Sequence, residues 1–143
     1  AESLSKLGTK HALVVSSADG LDEISIAAPT AVWEMRDGVV ERFQIDPNDY
    51  GRGHKDLTGL GVNSAQESAE LIKSALSLMS GEAAERARSM IALNAGAAIY
   101  VSGVAATLKA GIAAADEAIG SGAALDKLDT FVSFTQQLRA EAS

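Results

Sequence analysis

The sequence predicts the α/β fold class, with short strands and a β-hairpin followed by about four helices. A continuous apolar run at 11–16 is typical of a strand buried on both faces of an α/β sheet. An Asp37-Gly38 pair separates two alternating segments, which predicts a hairpin. Beyond Ser64, apolar residues recur at helical spacing. Strands followed by helices describe an α/β or α+β domain, or part of one.

The first quarter of the chain is predicted to contain a helix end and two extended segments. Residues 2–7 have the pattern of the last turns of a helix, which Gly8 ends as a C′ residue. The apolar strand 11–16 leads into a polar loop at 17–23. A second short extended segment follows at 24–27.

The hairpin is predicted over 31–36 and 39–45. Both central residues of a type I′ turn need positive φ, which Asp-Gly tolerates well. Side chains alternate along both segments, which indicates a hairpin with one mainly apolar face. In the first segment that face comprises Ala31, Trp33 and Met35, between the more polar positions Val32, Glu34 and Arg36.

A short turn, a loop and a first helix follow the hairpin. Asp46 is an N-cap before Pro47, so we expect one helical turn over 47–50. The glycine-rich stretch 51–63 is predicted to be a loop. Ser64 and Glu67 form a capping-box pattern for a helix that Gly81 stops. Its predicted buried face comprises Ala65, Ala69, Ile72, Ala75, Leu76 and Met79.

Three further helices are predicted towards the C-terminus. One runs from about 82 to 102, and one begins after Thr107 and ends at Gly120. The last starts at Ser121 or Gly122. Its predicted buried stripe comprises Leu125, Leu128, Phe131, Val132, Thr135 and Leu138.

Composition excludes several classes of protein. The 143 residues suit one domain, and a net charge of −7 argues against general nucleic-acid binding. The absence of cysteine excludes disulfide and thiolate chemistry. The strongly apolar run 90–101 is too short to span a bilayer, and no signal peptide is evident. We therefore expect a soluble, cytoplasmic protein without a membrane partner.

The most informative candidate site follows the first strand, where Asp19, Asp22 and Glu23 lie within five residues. Ligand sites of open α/β sheets collect beyond the carboxyl ends of strands. Hard carboxylate oxygens favour Mg²⁺ over zinc. The alternative is a solvent-facing acidic turn in which Asp19-Gly20 serves only the backbone.

Two weaker anion sites lie further along. Residues 59–64 lead into a helix N-terminus, whose backbone N–H groups can bind an anion, although a plain loop explains the segment as well. Arg52, His54 and Lys55 form a basic cluster that could contact a phosphate or simply face solvent. No residue is assigned a catalytic role, since no nucleophile–base arrangement is present.

Two polar residues are assigned structural roles. His11 begins a strand without a visible partner for catalysis. Asn94 lies in the apolar part of a helix, so its amide is expected to hydrogen-bond a neighbouring loop or helix end.

The chain resembles the anthranilate phosphoribosyltransferases over nearly its whole length. The likeness begins in Val14–Ile24, which contains the Asp-Gly-Leu-Asp-Glu signature, and continues through Pro29–Glu34 and the hairpin. It extends through Asp46–Gly51, Leu93–Ala95 and Ser121–Ala124, in the family's order.

The resemblance implies a fold and a reaction. Residues 1–143 would form the C-terminal segment of a mixed-sheet α/β domain, without the N-terminal helical domain and the upstream substrate loops. The family transfers the phosphoribosyl group of phosphoribosyl pyrophosphate (PRPP) to anthranilate in tryptophan biosynthesis and acts as a homodimer. Its Mg²⁺-binding acidic pair corresponds to Asp22 and Glu23. Such a fragment is expected to be inactive alone and to self-associate.

One departure and two alternatives accompany the resemblance. Ser16-Ser17 stands where the family usually has His-Gly, which predicts a differently shaped acidic loop. A nucleic-acid-binding relative of the family is disfavoured by the charge and by the retained acidic pair. A pyrimidine nucleoside phosphorylase is the other alternative.

Overall fold

The computed structural model describes residues 1–141 and confirms the α/β class. The predicted domain's last two residues, 142–143, lie outside the described residues. The chain forms α1 (Glu2–Lys6), β1 (His11–Ser17), β2 (Thr30–Arg36), β3 (Val39–Ile45), a 3-10 turn (Pro47–Tyr50), α2 (Ala65–Leu76), α3 (Glu82–Val101), α4 (Leu108–Gly120) and α5 (Ala123–Glu141).

The sheet has the order β1-β2-β3, and the hairpin is confirmed. Arg36 pairs with Val39 across a turn in which Asp37 has φ 49° and Gly38 has φ 85°, as a type I′ turn requires. The resemblance implies a mixed sheet, but the strands within residues 1–141 pair only antiparallel.

The sheet is less buried than its sequence predicts. Only Ser17 of β1 is buried, because β1 lies at one edge of the sheet and has one strand neighbour within residues 1–141. The predicted apolar face of β2 is also wrong in part. Thr30 and Val32 are fully buried, and Val32 belongs to the main core, although Met35 on the opposite face is buried too.

The second extended segment, 24–27, is not a strand. Ile24 and Ile26 are buried, but side chains provide the hydrogen bonds that a neighbouring strand would otherwise make. The Ser25 N–H donates to Thr30 Oγ1 at 3.1 Å, and the Ala27 N–H donates to Ser25 Oγ at 3.0 Å. These local bonds satisfy the buried backbone without a ladder.

The predicted helix caps are confirmed, with one shifted end. Ser64 Oγ accepts from the Glu67 N–H, and Thr107 Oγ1 accepts from the Ala110 N–H, each at 3.1 Å. Helix α2 stops at Leu76 rather than at Gly81, because Leu78 adopts a left-handed conformation with φ 57°. Gly81 instead forms the N-cap of α3.

Helices α3 and α4 pack closely and form the centre of the core. The main cluster joins Val32 and Ile45 of the sheet to Leu93 of α3 and Ile112 of α4. None of the helices within residues 1–141 combines the length and apolarity that crossing a bilayer requires.

Two predicted buried faces are largely exposed. In α2, only Ala75 and Leu76 are buried. In α5, no residue is buried, and Phe131 is 62% exposed. The predicted face of α2 is therefore wrong in part, since Ala65, Ala69, Ile72 and Met79 are exposed. Within residues 1–141 no element covers most of either predicted face.

Candidate functional site

The acidic pair Asp22-Glu23 lies at the rim of a cavity of about 670 Å³. The loop after β1 supplies both carboxylates, which are exposed. The walls are mainly apolar and come from three other parts of the chain. They include Leu57 and Leu60 of the loop after the 3-10 turn, Leu71 and Ile72 of α2, and Met90 and Ile91 of α3.

The loop that presents the pair begins with a tight turn. The Gly20 N–H donates to the Ser17 carbonyl at 3.1 Å, and Gly20 has φ 89°, a conformation that favours glycine. The Ser17 N–H donates to the Leu21 carbonyl at 3.2 Å, and the Ala18 N–H to the Pro29 carbonyl at 3.0 Å. These bonds close the loop at its base and leave Asp22 and Glu23 beyond the turn.

Asp19, the third carboxylate of the predicted cluster, has a different role. Its Oδ2 accepts a hydrogen bond from buried Ser25 Oγ at 2.6 Å. The neighbouring Ser17 and Ser25 hydroxyls hold the pKa of Asp19 below its usual value, because they stabilise the ionised form. Asp19 therefore fastens the loop, and the remaining pair is available to a ligand.

Asn94 hydrogen-bonds the same loop from α3, as its position in an apolar helix predicts. Its Oδ1 accepts from the Ile24 N–H at 3.0 Å, and its Nδ2 donates to the Ile24 carbonyl at 3.0 Å. Ile24 directly follows Glu23, so α3 holds the backbone next to the acidic pair.

The residues present fit a magnesium ion. Within residues 1–141, Asp22 and Glu23 make no hydrogen bond or ion pair that would have to be broken. No group of three or more His, Cys, Asp or Glu side chains is placed to hold a metal in this part of the chain. Mg²⁺ is commonly bound by one or two carboxylates together with waters and substrate phosphates, which suits an open pair better than a closed cage.

The structure separates the predicted basic cluster. Arg52 forms an ion pair with Asp116 of α4, while His54 Nε2 lies 3.0 Å from Ser89 Oγ of α3. Lys55 is exposed. Arg52 and His54 connect the loop that forms one wall of the cavity to α4 and α3, and the three basic side chains do not form one cluster.

The predicted anion site at the start of α2 is also occupied by the chain itself. The Glu67 carboxylate accepts from the Asn63 N–H at 2.8 Å, which places a negative charge at this helix end. An external anion would meet that charge.

Residues 1–125 match the family described as "Glycosyl transferase family, a/b domain". The chain belongs to this family.

Known members closely resemble this glycosyl transferase domain. The anthranilate phosphoribosyltransferase of Teredinibacter turnerae is 50% identical over 135 residues, which are 94% of this chain and 40% of that protein. The crystal structure of the Thermus thermophilus enzyme matches with a TM-score of 0.78 and 29% identity, covering 93% of this chain and 38% of the other. The Saccharomyces cerevisiae enzyme in complex with PRPP and Mg gives a TM-score of 0.70 and 26% identity, covering 86% of this chain and 34% of the other.

The resemblance to anthranilate phosphoribosyltransferases is thereby confirmed. The chain spans about 40% of the length of the curated relatives it matches. The comparisons therefore concern only part of each relative's length.

The sequence did not reveal one polar cluster of this domain. Glu34 Oε1 accepts a hydrogen bond from Tyr100 Oη at 2.6 Å and lies 2.7 Å from His11 Nε2. The His11 and Tyr100 rings meet edge to face, with centroids 4.9 Å apart. Strand alternation placed Glu34 on one face of β2, but the pairing also depends on the β1 register and on the docking of α3.

Proposed function

We propose that the intact protein transfers the phosphoribosyl group of PRPP to the amine of anthranilate and releases pyrophosphate. The carrying observation is the exposed Asp22-Glu23 pair at the rim of a cavity, in a chain half identical to an anthranilate phosphoribosyltransferase. The Saccharomyces cerevisiae relative binds PRPP and Mg. The proposal extends to a cytoplasmic homodimer that makes phosphoribosyl-anthranilate for tryptophan biosynthesis.

The reaction exchanges one bond at the ribose C1 atom for another. The bond from C1 to the pyrophosphate oxygen breaks, and its electron pair leaves with pyrophosphate. The anthranilate nitrogen donates its lone pair to C1 and then loses a proton. Bound Mg²⁺ would supply Lewis-acid stabilisation of the departing pyrophosphate. No covalent nucleophile from the protein is required, which agrees with a site that offers carboxylates and apolar walls.

The residues of this chain would contribute binding and orientation. Asp22 and Glu23 would hold the ion against the pyrophosphate. The apolar wall, which includes Leu57, Leu60 and Met90, would provide a surface for the apolar part of a substrate beside the two carboxylates. Asp19 and Asn94 fix the loop, so less reorganisation is needed when the ligand binds.

The test replaces each carboxylate by its isosteric amide in the intact protein. Asp22→Asn and Glu23→Gln should each lower kcat/KM for anthranilate transfer by about 100-fold and raise the Mg²⁺ concentration needed for half-maximal rate, as loss of a charge-stabilising group predicts. Asp37→Asn and Glu85→Gln are matched controls, since both carboxylates are exposed elsewhere. Normal rates and Mg²⁺ dependence in both site variants would refute the assignment. Phosphorolysis of thymidine or uridine, without anthranilate transfer, would favour the phosphorylase alternative.

A further inference from the structure

Asn94 makes three hydrogen bonds, which use both N–H donors of its amide and its carbonyl oxygen. Besides the two bonds to Ile24, its Nδ2 donates to the Met90 carbonyl at 3.0 Å, one turn earlier in α3. The two bonds to Ile24 imitate the pair of bonds between facing strand residues. The bond to Met90 restricts the rotamer of Asn94 to the one that meets the loop.

The position of this amide matters because Ile24 adjoins Glu23. Ile24 is 2% exposed and belongs to the main core, whereas Asp22 and Glu23 are exposed. The loop therefore passes from a fixed residue to an exposed carboxylate within one residue. The side-chain hydrogen bond between Ser25 and Asp19 does not involve Glu23. On the Asp22 side the Leu21 N–H donates to Asp19 Oδ1 at 3.4 Å, and on the Glu23 side Asn94 supplies the nearest side-chain bonds.

We propose that Asn94 is a positioning residue that sets the backbone of Glu23 for cation binding. The inference rests on the proposed function of the Asp22-Glu23 pair. A carboxylate on a loose loop loses conformational freedom when it binds an ion, and this cost weakens binding. The bonds from Asn94 restrict the Ile24 backbone in the folded protein before an ion binds, because α3 is a rigid element and both backbone polar groups of Ile24 are bonded to it. Less conformational freedom is then lost on binding.

The test measures cation binding in the intact protein with Mn²⁺ as the probe for the magnesium site. Electron paramagnetic resonance of free Mn²⁺ gives the Kd directly, without turnover. Asn94→Ala should weaken Mn²⁺ binding by about tenfold or more, the usual effect of removing a group that orients a metal ligand. The Mg²⁺ concentration for half-maximal rate should rise by a similar factor, while kcat at saturating Mg²⁺ recovers.

A second variant guards against loss of the fold. Asn94→Asp has the same size and keeps an acceptor for the Ile24 N–H, but it opposes carboxylate oxygen to the carbonyls of Ile24 and Met90. It should also weaken Mn²⁺ binding. Asn63→Ala is the matched control, because Asn63 is exposed and hydrogen-bonds Glu67 instead. A lower melting temperature with unchanged or tighter Mn²⁺ binding in a folded Asn94 variant would overturn the proposal.

Glu23→Gln separates this inference from the proposed function. If Glu23→Gln weakens Mn²⁺ binding and the Asn94 variants do not, the positioning role is wrong and the site stands. If Glu23→Gln leaves Mn²⁺ binding unchanged, the magnesium site itself is wrong, and the positioning role falls with it.

Discussion

Gly96 and Gly111 lie backbone to backbone where α3 crosses α4. A Cβ atom built on Gly111 would lie 2.2 Å from the carbonyl oxygen of Gly96, and one built on Gly96 would lie 2.6 Å from the Cα of Ile112. Both contacts are with main chain, which cannot rotate away as a side chain can. This close crossing fixes the position of α3. Asn94 lies two residues before Gly96 in α3, so the crossing also fixes the position from which Asn94 hydrogen-bonds the acidic loop.

Gly111→Ala should destabilise the chain because the added methyl group cannot fit at this crossing. Overpacking of a core typically costs about 1–3 kcal/mol, and a clash with backbone belongs at the upper end of that range. The helices would have to separate, which would also loosen the cluster around Ile112. Urea unfolding of the chain, followed by the fluorescence of Trp33, should show a lower midpoint.

Gly120→Ala is the matched control in the same helix. Gly120 is the last residue of α4, and no atom lies within 4 Å of a Cβ built on it. Alanine favours helix over glycine by up to about 1 kcal/mol, so this variant should be neutral or slightly more stable. Equal midpoints for the two variants would show that α3 and α4 do not pack as closely as the structure has them.

The Tyr100–Glu34 hydrogen bond predicts a late-titrating tyrosine. The bond to Glu34, followed by burial, raises the pKa of Tyr100 above its ordinary value, because both favour the protonated phenol. Ultraviolet titration of the phenolate should therefore show Tyr100 ionising after an ordinary tyrosine. Glu34→Gln should move this pKa back towards the ordinary value, since a neutral amide accepts a weaker hydrogen bond than a carboxylate and carries no negative charge.

The raised pKa of Tyr100 also makes the free energy of unfolding depend on pH. Below about pH 10 the phenol is protonated in both states, and the stabilisation is fully present. Between the unfolded pKa and the higher folded pKa only the unfolded chain has released the proton, so the stabilisation falls and is lost as the pH rises through the folded pKa. Tyr50 is the internal control: burial is the main cause of its raised pKa, so Glu34→Gln should leave it unchanged. An unchanged Tyr100 titration in Glu34→Gln would contradict the assignment.

Features determined by neighbouring residues were predictable from the sequence. The Asp37-Gly38 turn depends on two φ angles, and the caps at Ser64 and Thr107 depend on side chains that reach three residues along the chain. The helical location of Asn94 and its need for a partner were also evident. Its partner was not, because Ile24 is 70 residues away and its pairing depends on how α3 docks.

The wrong predictions depend on which other parts of the chain pack against a segment. Residues 24–27 have the composition of a strand, but no strand forms. Side chains of Ser25, Thr30 and Asn94 hydrogen-bond much of their backbone instead. The spacing of Phe131 and Leu138 correctly indicates an apolar stripe on α5, yet sequence periodicity contains no information on whether another element covers it.

The exposed stripe of α5, defined as Phe131, Phe134 and Leu138, predicts self-association of the 143-residue chain. These side chains are 62%, 57% and 49% exposed and recur at helical spacing. Contiguous exposed apolar surface favours association, because its burial removes apolar area from water. Light scattering should show a mass that rises with protein concentration.

Introducing charge into the stripe tests the predicted self-association. Phe131→Glu with Phe134→Glu removes two exposed rings and adds two negative charges, so association should weaken strongly. Ser133→Glu with Gln136→Glu adds the same charge to exposed positions of α5 but keeps both rings, so association should persist. Equal weakening in both double variants would mean that charge alone controls association. A monomer at every concentration in the unaltered chain would mean that the stripe is too small to bind a second copy.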